Sequence, residues 1–595
     1  MKARVCKLCS VLVTMMFLFA SAWAQNINVS GTVVDDLGEP ITGANVVVKG
    51  TTQGATTDLD GKFTLNSVPQ KAVLRVSFVG YKDQDVNVAG KTNLKITLAE
   101  DSEMLEDVVV VGYGVQRKSD VTGAVMRVDS KTLQAKPVTN AFEALQGKAA
   151  GVDITSGSRP GSIGSIRIRG NRSISAGNDP LYVVDGVPLS AGGIETINTA
   201  DIESIDILKD ASSTAIYGSR GANGVILITT KRGKAGSTSL RYSGSVTFSQ
   251  LVDKAKAMNA SDYINWRRWA YYNADNGNPM PEGPNVDWNA LHEKDQAYFS
   301  GDPTALANVN RGWSQNGGSW SWDGSKVQDY DWTDIVTRTG VTHEHTLSAS
   351  GGSDKVQASG SFGYLSNKGT QKGQDYERFS AALSVDIQAK PWFKFGGSIN
   401  TSYAIQEYGF SSTGQAISSG PGDLYGAAKA LLRYTLPYDE DGALITTPGG
   451  STTNTYNIMD EWKKEDDERK TFRILGSFYG QIDFGKMWKP LEGLSYKIAV
   501  GPDFRHYRRG VFIDQNSAVR MGSKNYVNRD EQRHYSWTLD NQINYNKDIN
   551  KDNKIGITLL QTASAYQREN TGMSEQGIPF SSMKWNNMGY IDITQ

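Results

Sequence analysis

The feature of this sequence that most constrains its fold is a series of long segments after Gly236 in which apolar and polar residues alternate. A period of two is typical of a β-strand with one apolar and one polar face. Later segments pair into hairpins around short turns near residues 352, 390, 488 and 549. The pattern predicts about nine strands of ten or more residues. The first segment carries its apolar or small residues at Leu240, Tyr242, Gly244, Val246 and Phe248.

The connections between these strands alternate between the short turns and long loops at 250–341, 366–375, 405–470 and 506–531. Alternating strands with short turns at one end and long loops at the other are typical of an outer-membrane β-barrel. In such a barrel the lipid side is apolar, and closure leaves no unpaired strand edge. A large soluble β-sandwich or propeller is the alternative, but a propeller repeats its sequence and we find no repeat. The sequence therefore predicts part of a transmembrane antiparallel β-barrel at 236–595.

The first 24 residues have the pattern of a secretory signal peptide. Basic residues precede an apolar run at 11–20, which is too short to cross a bilayer, and an A-x-A cleavage site ends at Ala24. Both cysteines, Cys6 and Cys9, lie in the segment that cleavage would remove. We therefore expect the mature chain to have no disulfide, no thiolate metal site and no cysteine nucleophile.

Two regions of different character lie between the signal and the barrel. Residues 25–99 contain about seven short strands separated by turns, which predicts a small β-sandwich. Residues 119–235 mix short strands with helical segments at 140–148 and 211–217, which predicts a compact α+β domain. The fold class is therefore mainly β. A net charge of −1 gives no reason to expect a nucleic-acid partner, and 10% aromatic residues argue against a disordered chain.

The linker at 100–118 contains four consecutive valines, Val108, Val109, Val110 and Val111, between an acidic segment and glycine. An exposed β-prone segment can pair with the edge of another chain's sheet. A buried strand of the next domain has the same composition, and the residues alone leave both interpretations open.

Several motifs make the sequence similar to one family. The segments at 29–34 and 78–81 resemble a carboxypeptidase-regulatory-like sandwich, and those at 108–114 and 122–125 resemble a TonB box and the entrance of a plug domain. Further stretches resemble plug motifs: LQGK at 145–148, RIRG at 167–170, PLYVVDGVP at 180–188, LKDA at 208–211 and AIYGSRGANGVI at 215–226. On these motifs the chain resembles the SusC/RagA-type TonB-dependent outer-membrane transporters of Bacteroidetes.

The resemblance implies a function and a set of functional residues. The TonB box would add as a strand to TonB in the periplasm, and ExbB and ExbD would drive TonB. A SusD-like surface lipoprotein would capture glycans or peptides for import across the outer membrane. Export would be of the Sec type, with the N-terminal domain in the periplasm. The TonB-binding residues would be Asp107, Val108, Val109, Val110, Val111, Gly112 and Tyr113. The plug-motif residues would be Arg167, Arg169, Gly170, Asp185, Gly186, Tyr217, Gly218, Arg220 and Gly221.

The chain also departs from that family. The family's barrels have more strands than are counted here, and the last residues, Tyr590–Gln595, lack the terminal aromatic strand that outer-membrane assembly usually reads. We therefore expect a C-terminally truncated sequence or a fragment. The alternatives to import are a ligand-binding surface receptor or signalling protein without transport, and a truncated chain without function.

No catalytic or metal-binding constellation is present in the sequence. It contains no H-E-x-x-H, G-x-S-x-G or G-x-x-x-x-G-K-[ST] motif, so we expect neither enzyme activity nor a cofactor. His343 and His345 share one face of a strand, but two ligands do not make a metal site, and we expect both on the lumen surface of the barrel.

Two further groups of side chains have competing interpretations. Arg167, Arg169 and Arg172 are interpreted as braces between plug and barrel wall. Aromatic rings stack on sugars, but they also pack loops and partner surfaces. The loop at 250–341 carries seven of the 13 tryptophans: Trp266, Trp269, Trp288, Trp313, Trp320, Trp322 and Trp332.

Overall fold

The computed structural model describes residues 26–589 with short gaps at 36–37, 52, 79–80, 99–107, 112–113, 118–124, 135–139, 158, 190–191, 193, 237, 253–255, 277–284, 411–422, 451–454 and 551–552. The signal peptide, Asp107, Gly112, Tyr113 and the last six residues therefore lie outside the described residues. The chain divides into two compact units, one that ends near Val108 and one that holds most of the rest. Strands make up 49% of the structure and helices 19%, which confirms the mainly β class.

The first unit is a small β-sandwich, as predicted. One sheet has the order β4-β1-β7, with β1 and β7 parallel, and the other has the order β3-β2-β5-β6. Alternate residues such as Val29, Val33, Leu65 and Val76 form its core. Its strands are β1 (Asn26–Val34), β2 (Asn45–Val48), β3 (Gly54–Thr56), β4 (Lys62–Pro69), β5 (Val73–Ser77), β6 (Gln84–Asn87) and β7 (Asn93–Thr97).

The four valines of the linker form β8 (Val108–Val111), which pairs with β9 (Gly114–Arg117) as a two-stranded sheet. Among the described residues, no further strand joins this pair.

The α+β domain, which we call the plug domain, is built on a five-stranded sheet of order β10-β15-β16-β13-β14. Its first helices pack on one face of that sheet, and Asn140 caps the second helix by accepting from the N–H groups of Phe142 and Glu143 at 3.1 and 3.0 Å. Its elements are β10 (Val125–Asp129), α1 (Ser130–Gln134), α2 (Ala141–Leu145), β11 (Val152–Ser156), β12 (Ile163–Ile168), β13 (Leu181–Val184), β14 (Val187–Pro188), β15 (Ile202–Leu208), α3 (Ala211–Thr214) and β16 (Val225–Thr230), with 3₁₀ turns at Ile194–Thr196, Thr199–Asp201 and Ala215–Gly221.

Nine of the described strands form one large antiparallel sheet, in which neighbours along the chain are neighbours in space. A separate hairpin of β18 (Trp313–Asn316) and β19 (Ser319–Trp322) lies in the first long loop. The nine strands are β17 (Ser239–Ser249), β20 (Gly340–Gly352), β21 (Val356–Lys368), β22 (Asp375–Lys390), β23 (Phe393–Glu407), β24 (Glu465–Asp483), β25 (Leu494–Ile513), β26 (Tyr526–Asp548) and β27 (Lys554–Gln576).

The long connections of this sheet carry helices. The first holds α4 (Ala260–Asn276), α5 (Trp288–Phe299), α6 (Pro303–Asn310) and α7 (Trp332–Val336), and the connection between β23 and β24 holds α8 (Leu424–Ala430). The short connection between β24 and β25 holds α9 (Phe484–Met487). No helix in the described part of the chain combines the length and apolarity needed to cross a membrane.

The two faces of the large sheet differ as the alternation predicts. One face contacts the plug domain, and we call it the lumen face; the other is the outer face. The outer face exposes large apolar side chains on every strand: Leu240, Tyr242, Val246, Phe248, Leu347, Phe362, Phe379, Leu383, Phe395, Ile399, Phe478, Ile498, Tyr535, Ile543, Ile557 and Leu559. Because a folded chain in water buries such surface, a continuous apolar face indicates contact with lipid.

Candidate functional site

The carboxylate of Asp185 joins the plug domain to the large sheet. Asp185 follows β13 and has a φ of 47°, so the chain turns sharply there with Gly186. Its carboxylate accepts from the N–H and Oγ1 of Thr230 at 2.9 and 2.6 Å, and from Oγ of Ser398 on β23 at 2.9 Å. Oγ of Ser477 on β24 donates to its carbonyl at 2.9 Å. One plug residue is therefore bonded to a second plug strand and to two strands of the sheet.

A second polar contact lies where the plug domain continues into the sheet. Nη1 of Arg232 donates to both carboxylate oxygens of Asp386 on β22, at 3.0 and 3.1 Å. The hydroxyl of Tyr479 also donates to Asp386. Oγ of Ser359 on β21 donates to the carbonyl of Lys231 at 3.2 Å.

Nearer the long-loop end of the sheet, Arg159 of the plug donates to the carbonyls of Tyr408 and Phe410 at 2.7 and 3.0 Å, and its guanidinium lies 3.8 Å from the centre of the Tyr408 ring. Two residues of the sheet donate to carbonyls of the plug. Arg378 donates to the carbonyl of Glu195 at 3.0 Å, and Arg473 donates to the carbonyl of Gly192 at 2.7 Å.

These anchoring residues were not identified from the sequence. Arg378, Arg473 and Asp386 are buried and charged within strands whose lumen faces are otherwise mostly small and polar. A charge in such a position costs free energy unless it is paired. A charged residue at a lumen-facing strand position is therefore the sequence signal for a contact of this kind. Their plug partners are separated from them by more than 150 residues, so the pairing itself had no local signal.

The arginines of the RIRG motif have a different role from the predicted one. Arg167 forms an ion pair with Asp179, and Arg169 pairs with Asp210 at 2.6 Å. Arg172 donates to the carbonyl of Ala222. These contacts join plug loops to one another, so the prediction that these arginines brace the plug against the barrel wall is wrong.

The other motif residues shape the plug domain. Gly170 and Gly218 have φ angles of 84° and 56° at turns, Tyr217 is buried, and Arg220 is exposed. A Cβ at Gly221 would lie 2.9 Å from the carbonyl oxygen of Thr214, so a side chain does not fit there. Close packing therefore explains this glycine-rich segment.

A carboxyl group is buried in the middle of the plug sheet. Asp206 on β15 is fully buried and lies opposite Arg127 of β10. Oγ of Ser204 donates to its Oδ2 at 3.3 Å, while Oδ1 has no hydrogen-bond partner among the described residues. Burial raises the pKa of Asp206 to about 6, against the opposing effect of Arg127.

The tryptophans of the first long loop include both buried and exposed side chains. Trp313 and Trp332 are buried, and the buried Arg268–Asp295 ion pair lies beside Trp313, whereas Trp266 and Trp269 are about half exposed. Much of the tryptophan cluster therefore packs the loop.

His343 and His345 lie on the outer face, where Nδ1 of His345 contacts the hydroxyl of Tyr242 at 2.7 Å. The prediction of a lumen position for this pair is wrong, because the odd-numbered residues of β20 lie on the outer face. The described residues contain no cluster that could hold a metal.

A plug domain bonded to the polar face of an antiparallel sheet with an apolar outer face defines the class of TonB-dependent receptors. The family described as CarboxypepD_reg-like domain matches residues 29–110, and the TonB-dependent Receptor Plug Domain matches residues 117–225. No catalytic family is indicated.

Proteins similar to this chain support the same assignment to the TonB-dependent receptors. TonB-dependent receptor SusC of Bacteroides thetaiotaomicron is 38% identical over 69% of this chain and 37% of its own length. TonB-dependent receptor P26 of Formosa agariphila is 32% identical over 98% of this chain and 53% of its own length. The RagAB peptide importer in its open-open state has the same fold, with a TM-score of 0.61 at 23% identity over 81% of this chain and 51% of that one. Over most of its length the chain is similar to the SusC/RagA-type TonB-dependent receptors, and it spans about half the length of the curated relatives it matches or less.

Proposed function

We propose that this chain is part of a TonB-dependent importer of the outer membrane, and that it takes up large nutrients, either oligosaccharides or peptides. The observation that carries the proposal is the plug domain on the lumen face, held by Asp185 and Arg232 to strands whose other face is apolar. A polar stopper against the wall of a pore blocks free passage, so passage requires the plug to move.

TonB is the proposed source of that movement, with ExbB and ExbD as its motor. The segment Asp107–Tyr113 is the proposed binding site. Among the described strands β8 pairs only with β9, and this supports the proposal because a two-stranded sheet leaves an edge for a further strand. Sec-type export through the signal peptide would place this segment and the sandwich in the periplasm.

A SusD-like surface lipoprotein is the proposed partner at the long loops. The similarity to SusC and the shared fold with the RagAB peptide importer support both this partner and the two classes of nutrient. We propose no enzyme activity, no nucleic-acid partner and no cofactor, in line with the absence of catalytic motifs from the sequence.

The test is deletion of Asp107–Tyr113 from the gene in cells that depend on it for growth on a nutrient. We expect growth on that nutrient to be lost, while binding of the nutrient at the cell surface persists. The matched control replaces the acidic segment Ser102–Glu106 with a Gly/Ser segment of equal length, which should leave growth intact. Unchanged growth of the deletion strain would refute gating by TonB and favour a receptor without transport.

A further inference from the structure

A row of basic side chains crosses four neighbouring strands of the large sheet. Arg473 of β24 lies opposite Arg505 of β25, Arg505 lies opposite His534 of β26, and His534 lies opposite Arg568 of β27. Directly opposite residues share a face of the sheet. Because Arg473 donates to the plug carbonyl of Gly192, that face is the lumen face. We call these four residues the lumen basic row.

The row is only partly neutralised. Like charges directly opposite each other on neighbouring strands are destabilising. Arg473 has a carboxylate partner, since its Nε and Nη2 donate to Asp503 at 2.9 and 2.7 Å. Among the described residues, no carboxylate forms an ion pair with Arg505 or Arg568. Nε of Arg505 is buried without a hydrogen-bond partner there, and its guanidinium lies 5.6 Å from the Tyr507 ring.

The neighbouring charges do not supply the missing acceptor. Towards the long loops, Asp467 accepts hydrogen bonds from both Arg469 and Arg509, so one carboxylate serves two arginines. Asp530, opposite Arg509, accepts from Nδ2 of Asn528 at 2.7 Å. Arg568 donates through Nε to the side chain of Asn570 at 3.0 Å. Even with these acids counted, the lumen face of β24–β27 carries an excess of positive charge around the row.

We propose that the lumen basic row binds carboxylate groups of the imported ligand, which is therefore an anionic oligomer. The planar guanidinium matches a carboxylate with two parallel hydrogen bonds, and a buried unpaired donor gains most from such an acceptor. The row begins at the plug contact of Arg473 and continues along strands towards β27, so a bound carboxylate would lie beside the plug. This proposal rests on the proposed import function, and it names the class of ligand.

The test measures binding to the full chain in detergent by isothermal titration calorimetry, which requires no TonB. Two carboxylate probes, an oligogalacturonide and an aspartate-rich peptide of similar length, are compared with a neutral maltooligosaccharide. We expect a carboxylate probe to bind, and its Kd to rise with salt and to increase roughly tenfold or more in Arg505→Gln and Arg568→Gln. Arg505→Lys, which keeps the charge but not the fork, should give a smaller increase.

The matched control is Arg533→Gln, because Arg533 adjoins His534 on β26 but lies exposed on the outer face. Its Kd should equal that of the unchanged chain. The carboxylate probe that binds shows whether the acid belongs to a sugar or a peptide, and binding of both supports the proposal equally. Absence of carboxylate binding, equal binding of the neutral probe, or an unchanged Kd in Arg505→Gln would each overturn it. The deletion of Asp107–Tyr113 leaves this assay unaffected, so failure here is distinct from failure of TonB gating.

Discussion

At the scale of single residues, Asp185 has more anchoring contacts than its local sequence indicates. The motif similarity identified the residue, and a turn after a buried strand was evident from Asp-Gly. Its bonds to Ser398 and Ser477 join positions 213 and 292 residues apart, and nothing local to either position predicts them. Arg167 and Arg169 pair with carboxylates of the plug itself, and the alternation of the RIRG motif does not indicate which carboxylates these are.

Loss of the Asp185 carboxylate should loosen the turn that it holds. In Asp185→Ala the N–H of Thr230 loses its acceptor, at a cost of about 2 kcal/mol, so hydrogen exchange at that amide should accelerate about thirtyfold. Exchange measured by mass spectrometry or NMR on the full chain checks this. Asp153→Ala, at an exposed position on β11, is the matched control. Unchanged protection of Thr230 would show that Asp185 does not anchor the turn.

The buried Asp206 should make the plug domain less stable as pH rises. Its pKa of about 6 in the fold exceeds the ordinary value near 3.9, so the folded state binds the extra proton between these values. Stability is therefore highest below about pH 4 and falls by about 3 kcal/mol as pH rises through about 6. Calorimetry of the full chain should show a falling plug Tm over this range, and a flat one in Asp206→Asn. A parallel fall in both chains would contradict this origin.

At the scale of elements, the strands of the sheet were predictable because their signal repeats every two residues along the strand itself. Phe478 and Gly480 needed no distant partner to indicate a strand. The helices of the first long loop were missed, although Asp287 and Asp302 cap α5 and α6 by accepting from N–H groups of the first turn. An aspartate also favours turns and loops, so a cap residue by itself does not distinguish a helix from a loop.

The outer face of a strand should tolerate charge far less than its lumen face. Leu559 and Leu560 are adjacent on β27, with Leu559 in the outer apolar face and Leu560 on the lumen face. Leu559→Arg places a cation against hydrocarbon, at a cost of about 2–4 kcal/mol, so less of the chain should reach the membrane fraction. Leu560→Arg is the control and should be recovered like the unchanged chain. Equal recovery of both variants on immunoblots would mean that the outer face does not meet lipid.

At the scale of the whole molecule, the described strands form an open sheet, in which β17 and β27 each have one neighbour among those strands. The contacts described above hold the plug to this sheet through residues 159, 185, 192, 195, 231 and 232. The strand β10, by contrast, is an edge strand of the plug sheet and the one nearest along the chain to the proposed TonB segment. A pull from that segment therefore loads β10 before it loads the anchored part of the plug.

Force applied through the TonB segment should therefore release the plug in part, with β10 leaving first. In force spectroscopy, a tip coated with the C-terminal domain of TonB is withdrawn from the full chain in liposomes. The first extension of the chain should be about 160 Å, the span of fully stretched residues from Val111 to Arg159. Val128→Cys with Ile205→Cys joins β10 to its neighbour at a register pair, and oxidation should limit the first extension to about 60 Å, the stretched span from Val111 to Val128.

The control pair is Ile207→Cys with Ile226→Cys, which joins β15 to β16 beyond the released segment and should leave the first extension unchanged. Reduction of the Val128→Cys, Ile205→Cys chain should restore the extension, which separates the cross-link from any loss of core packing. A first extension that stays at about 160 Å in the oxidised Val128→Cys, Ile205→Cys chain would show that release of the plug does not begin at β10. Failure of the tip to attach at all would count instead against the TonB segment.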